Sequence, residues 1–171
     1  MTAYVALLRA VNVGGRKLLM NDLKGIADEL DLPNARTYIA SGNLLFTSAK
    51  GEAALKTLLE ARLRTHMGAA VGVMLRSARE IAQVAERNPF ASEPGNRVAA
   101  IFLHSAPPAN ILQTVRNIDG ELIALGEREV YVACGERGMG QSRLRIPAAE
   151  AGTARNMNTV AKLAELAREM E

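Results

Sequence analysis

Apolar residues fall along this chain in an order that nearly repeats itself, and that order restricts the available folds more than composition does. Ala3 to Val11 is an almost unbroken apolar run, interrupted by Arg9, whose length suits a strand buried on both faces. After Asn12-Val13-Gly14-Gly15 and a polar turn, Asn21 or Asp22 can cap a helix carrying Leu23, Ile26, Ala27 and Leu30 at helical spacing, and Pro33 ends it. Two β-rich runs, Thr37–Ala40 and Leu44–Thr47, flank the turn residues Ser41-Gly42-Asn43 and predict a hairpin. Leu55, Leu58, Leu59 and Leu63 then form the stripe of a second helix, and Val71–Leu75 supplies a fourth strand.

The resulting order, βαββαβ, is that of a ferredoxin-like plait. Ser77-Ala78-Arg79-Glu80 matches a capping box opening a short helix with Ile81, Val84 and Ala85 on its apolar side. Asn88-Pro89-Phe90 and Ser92-Glu93-Pro94-Gly95-Asn96 break the pattern, so the boundary between two subdomains is placed there. Beyond it, Val98–Leu103 reads as a strand and Ala109–Ile118 as a helix. Glu121–Leu125 and Val130–Cys134 read as a hairpin across Gly126-Glu127-Arg128. A closing helix is predicted from Thr153 to the end, with Val160, Leu163, Ala164 and Ala167 on one face, which leaves no residues for a final strand. The expectation is an α+β protein with a ferredoxin-like subdomain over 1–76, a connecting helix and linker over 77–95, and a second, incomplete plait over 96–171. The open sheet edge of that second plait would suit a homodimer.

Four passages carry a family likeness: Tyr4–Gly15, Thr37–Asn43, Asn88-Pro89-Phe90 and Thr153–Val160. Together they resemble a bacterial family, domain of unknown function 1697, along essentially the whole chain. The resemblance implies a two-part α/β plait with no established activity. Two departures stand out. Arg155-Asn156-Met157 replaces the family's usual Arg-Asn-Trp, and Ser142-Arg143-Leu144 replaces Ser-Lys-Leu, which keeps the positive charge.

Composition narrows the function. Lys and Arg number 21 against 18 Asp and Glu, a net charge of +3 that would steer a nucleic acid only if clustered. Three Tyr, three Phe and no Trp leave few rings for stacking bases, so nucleic acid is an unlikely partner. The apolar N-terminal run is too short to span a bilayer and has neither a basic leader nor a cleavage site, so no membrane role is expected. A single cysteine, Cys134, with His66 and His104 alone to assist, gives no disulfide and no zinc set; it fits a reducing cytoplasm, and no cofactor is expected.

Two polar segments are candidate ligand sites, and each has a structural alternative. Arg9 in its apolar strand must meet a carboxylate, carbonyls or a bound anion. With Asn12, Gly14 and Gly15 it could approach an anion at a strand-to-helix turn, although the P-loop and Gly-x-Gly-x-x-Gly spacings are absent. The second segment joins Ser142 and Arg143 to Thr153, Arg155, Asn156 and Asn158. Guanidinium groups and a capped helix start suit a phosphate or carboxylate there, or else tie the last helix to a loop. The functional expectation is a phosphorylated small molecule or nucleotide bound in a cleft between the subdomains. The alternative is a structural or protein-interaction module, and no catalytic set of residues stands out.

Overall fold

In the first strand Ala3, Val5 and Leu7 alternate with Ala6 and Leu8, and all five are fully buried, so both faces of the sheet they build must be covered. The computed structural model describes every residue from Met1 to Glu171. It divides the chain into two units, Met1–Ile81 with Leu163–Glu171, and Ala82–Lys162. The first unit runs β1 (Thr2–Leu8), α1 (Met20–Glu29), β2 (Arg36–Thr37), β3 (Asn43–Ser48), α2 (Glu52–Met67) and β4 (Val73–Ser77). Its sheet has the order β2-β3-β1-β4 with every neighbour antiparallel, the ferredoxin-like arrangement. On one face Ala6, Leu8, Leu44, Phe46, Val73 and Leu75 pack with Leu23, Ile26 and Ala27 of α1 and with Leu55, Leu59 and Leu63 of α2. Burying each such leucine stabilises by about 1.5–3 kcal/mol, so this cluster dominates the unit's energetics.

The first strand is shorter than its apolar run. It ends after Leu8: the Arg9 amide still pairs with the Gly72 carbonyl at 2.8 Å, but Ala10 and Asn12 take left-handed φ values of 56° and 58°, which turn the chain away from the sheet. Arg9 is therefore exposed at the strand's end and not enclosed within it. The first helix starts at Met20 without a side-chain cap, which puts Asn21 and Asp22 inside its first turn. Leu58 is only partly buried beside the Leu55-Leu59-Leu63 stripe. The predicted capping box is present at α3 (Ala78–Glu86). The Ser77 amide donates to Glu80 Oε2 at 2.8 Å, and the Glu80 amide donates to Ser77 Oγ at 3.2 Å.

The second unit contains β5 (Val98–Phe102), β6 (Leu122–Leu125), β7 (Glu129–Ala133) and β8 (Thr153–Asn156), in the order β6-β7-β5-β8 and again antiparallel throughout. Three expectations are corrected by this unit. The second sheet does have its fourth strand: Thr153–Asn156 pairs with β5, from Phe102↔Thr153 to Ala99↔Asn156, and α4 (Met157–Glu169) begins only after it. Asn156, not Thr153, caps that helix, its Oδ1 accepting from the Thr159 amide at 2.9 Å. What the second plait lacks is an α-helix in either crossover, between β5 and β6 or between β7 and β8. Ala109–Ile118 contains a single 3₁₀ turn, Ile111–Thr114. It follows Pro107-Pro108, holds Asn110, Thr114, Val115 and Asn117, all poor helix formers, and has Asn117 at φ 59°. Where the first unit has α2, the second has 3₁₀ turns at Gly135–Arg137, Met139–Gln141 and Pro147–Ala149.

Gly152 makes the entry into β8 possible. A Cβ at this position would lie 2.7 Å from the Phe102 carbonyl oxygen and 2.9 Å from Leu103 Cδ2, an approach that only glycine allows. Gly25, inside α1, meets nothing within 4 Å. In chemical denaturation Gly152→Ala is expected to destabilise by about 1–3 kcal/mol through overpacking. Gly25→Ala is expected to stabilise by about 0.4–1 kcal/mol through the unfolded chain.

Candidate ligand site

Alternation along the second sheet sends Ala99 and Ile101 of β5, Val132 of β7 and Ala154 of β8 to one face. The first unit covers the equivalent face with two helices. Here it is covered by chain that turns repeatedly and offers no continuous apolar stripe. The cover is nevertheless fixed. Ile111, fully buried, joins Val130, Val132, Cys134, Ile146 and Ala149 in one apolar cluster, and the backbones of Arg116 and Arg145 exchange hydrogen bonds of 2.8 and 2.9 Å. Fixed but incompletely packed, it leaves a cavity of about 380 Å³ above Ala99, Ile101, Val132 and Ala154, roofed by Met139, Leu144, Ile146 and Ala149. Its polar atoms come from Cys134, Ser142, Arg145 and Glu150. Arg145 and Glu150 form an exposed ion pair at 2.5 Å, of a kind worth about 0–1 kcal/mol and easily parted.

A second, polar cavity of about 660 Å³ is lined by Asp119, Arg137, Gly140, Gln141, Ser142 and Arg143, so Ser142 borders both spaces. Arg137 is ion-paired with Asp119. Arg143 is exposed and forms no ion pair, which leaves its guanidinium fork open to an anion. Burial, reinforced by the charge of Glu121 and partly offset by a hydrogen bond from Ser142, pushes the Cys134 thiol above its ordinary range. The thiol is therefore protonated at neutral pH and behaves as a small apolar wall group, not a nucleophile.

The other residues singled out from sequence have different surroundings. Arg155 does not open the last helix. It lies in β8 and is only 8% exposed, its Nη1 donating to the Ala154 carbonyl at 2.9 Å, and burial lowers its pKa to about 10. It occupies the position of Arg76 in β4, 2% exposed, whose Nη1 donates to the Leu75 carbonyl at 2.8 Å. Each arginine stands one residue before a helix cap, Ser77 or Asn156, and opposite the central strand at Val5 or Ala100. Asn158 is exposed, with its side-chain amide against Gly95, where a Cβ would displace that amide.

In the first unit Asn12 is a staple. Its Nδ2 donates to the Leu18 carbonyl at 2.9 Å and the Ala40 carbonyl at 2.6 Å, and its Oδ1 accepts from the Leu18 amide at 2.8 Å. Gly14 and Gly15, at φ 58° and 84°, make a tight turn between Val13 and Arg16, well before α1 begins. The turn they make joins Val13 to Arg16 and does not lead directly into the helix. Ser41-Gly42-Asn43 is turn chemistry, as expected: Gly42 has φ 92°, and buried Asn43 donates to the Tyr38 carbonyl and to Ser41 Oγ. Of the nine residues singled out as ligand contacts, Ser142 and Arg143 line a common cavity. The apolar floor at Ile101 and Val132 went unread, because sequence does not reveal that a strand face has lost its covering helix.

This chain belongs to the family described as protein of unknown function, domain of unknown function 1697, which matches residues 1–131. A solved structure, the conserved bacterial protein SP0830 from Streptococcus pneumoniae, superposes with a TM-score of 0.81 at 23% identity, covering 98% of this chain and 99% of that one. That likeness establishes a shared fold. No curated protein matches the sequence. No helix is long and apolar enough to cross a membrane.

The Cys134 environment can be checked directly. The thiolate is the reactive form, so alkylation at pH 7.5 should be slower than that of a free thiol, and the rate should climb with a midpoint above the ordinary value of 9.0. Because the folded pKa is raised, the associated stability is present below the unfolded thiol's pKa and is lost as pH rises beyond it. A midpoint at or below 9.0 would contradict the burial described.

Proposed function

We propose that the protein binds a phosphorylated small molecule or nucleotide in its second unit. The apolar body of the ligand occupies the cavity over Ile101 and Val132, and its phosphate reaches Arg143 past Ser142. One observation carries this reading: an apolar cavity of about 380 Å³ and an arginine-bearing cavity of about 660 Å³ share Ser142 as a common wall. Small-molecule sites typically combine these features, being mostly apolar and of roughly 300–1,000 Å³, with a few polar groups that orient the ligand. Arg155 and Asn156 serve the fold in this proposal, one within the strand and the other as helix cap. No reaction is assigned, and a cytoplasmic setting belongs to the same proposal.

A second reading, as an interaction module, has its own support. β6 is an edge strand, and its Leu122 and Leu125 are 55% and 39% exposed, so a second copy could pair there. Thermal unfolding separates the two readings. A panel of inorganic phosphate, sugar phosphates and nucleoside monophosphates should contain a stabilising ligand, worth about 2.7 kcal/mol at a hundredfold excess over Kd. Arg143→Ala should remove most of that shift while changing the unliganded protein by no more than about 0.5 kcal/mol, as is usual for an exposed side chain. A panel without effect, together with a Tm that rises with protein concentration, would favour the dimeric module.

A further inference from the structure

The Gly14–Gly15 turn and Arg9 find no use in the site of the second unit, yet both lead to one place in the first. Arg16, which the turn delivers, donates from Nη2 to the Ala70 carbonyl at 2.7 Å. The Arg9 amide donates to the Gly72 carbonyl, and the Arg9 stem lies over Gly72, with Cβ and Cδ 3.6 and 3.7 Å from where a Gly72 Cβ would stand. Ala70–Gly72 in turn forms one wall of a cavity of about 370 Å³, with Thr57, Glu60 and Arg64 of α2 on the other. Three arginines therefore meet at one short segment.

The balance of charge there is positive. Glu60, the single acid lining the cavity, is engaged: its Oε1 accepts from Lys56 Nζ at 2.6 Å and from the Val73 amide at 3.1 Å. Arg16 and Arg64 form no ion pair, and the bond to Ala70 occupies only one of the five N–H groups of Arg16. The carboxyl end of α2 contributes about half a negative charge, which two open guanidinium groups outweigh. We propose that this cavity is an oxyanion site for a small diphosphate or phosphate ester, held by the fork of Arg64, with Thr57 Oγ1 as a further donor and Arg16 reaching in from the rim at Ala70. It is independent of the ligand reading for the second unit.

The test is a titration of the full-length, ¹⁵N-labelled protein with inorganic pyrophosphate, followed by amide shifts. Saturable shifts of Ala70, Val71 and Gly72 are expected. Arg64→Glu should weaken binding tenfold or more, and Arg64→Gln should weaken it less. Arg64 is exposed and forms no ion pair, so Arg64→Gln should leave Tm nearly unchanged, whereas Arg64→Glu should lower it by a few degrees, because it sets a carboxylate in the last turn of α2. Absent shifts at these residues, shifts confined to residues 137–145, or equal affinity in Arg64→Glu would overturn the site. Tighter binding of a short single-stranded oligonucleotide through the same residues would overturn its assignment to a small phosphate.

Discussion

A four-stranded antiparallel sheet with apolar residues on both faces is stable only when both are covered, and how each unit meets that demand determines the rest of the molecule. In the first unit, α1 and α2 present regular stripes, and the buried leucines of α2 fall at successive fourth positions, Leu55, Leu59 and Leu63. The second unit keeps the strand order but covers the equivalent face with single 3₁₀ turns. Such turns present side chains in too short a register to fill the space above a sheet. The cavity over Ile101 and Val132 follows from that substitution. Ile111 and the Arg116–Arg145 backbone bridge keep the cover from collapsing into it.

The two units also repeat a detail at the end of their fourth strands. Arg76-Ser77 and Arg155-Asn156 each place a buried arginine one residue before a polar helix cap. A buried guanidinium carries a desolvation cost of several kcal/mol, seen at Arg155 as a pKa lowered to about 10, and it persists only where carbonyls and other polar groups satisfy it. Each arginine begins with its own preceding carbonyl. The matching positions make these residues part of the architecture in both halves. A ligand role for Arg155 would require its guanidinium to leave that environment.

Much of this fold was legible from local chemistry. The Ser77–Glu80 capping box, the Ser41-Gly42-Asn43 turn and the order of the first plait could be read because each depends on residues close in sequence. The failures occurred where distant contacts decide. Ala154 and Arg155 are good helix formers, yet they pair with β5 because Gly152 lets the backbone pass close to Phe102. Ala109–Ile118 shows an apolar spacing without the propensity to use it. At the candidate site, the sequence pointed to Ser142 and Arg143 through the excess of guanidinium groups in their segment. The apolar half of the cavity is made of ordinary core residues whose neighbour is missing, and no sequence pattern marks that.

On the function proposed above, the face of the second sheet that no crossover helix covers binds an anion with an apolar body. Methyl NMR of the whole protein titrated with 8-anilinonaphthalene-1-sulfonate, which joins aromatic rings to one anionic group, tests it most directly. The account predicts saturable, one-to-one shifts of the Ile101, Val132, Leu144 and Ile146 methyls, with those of Leu23, Ile26, Leu55 and Leu59 in the first unit unmoved. Shifts spread over both sets, or none at Ile101 and Val132 at saturating probe, would contradict it.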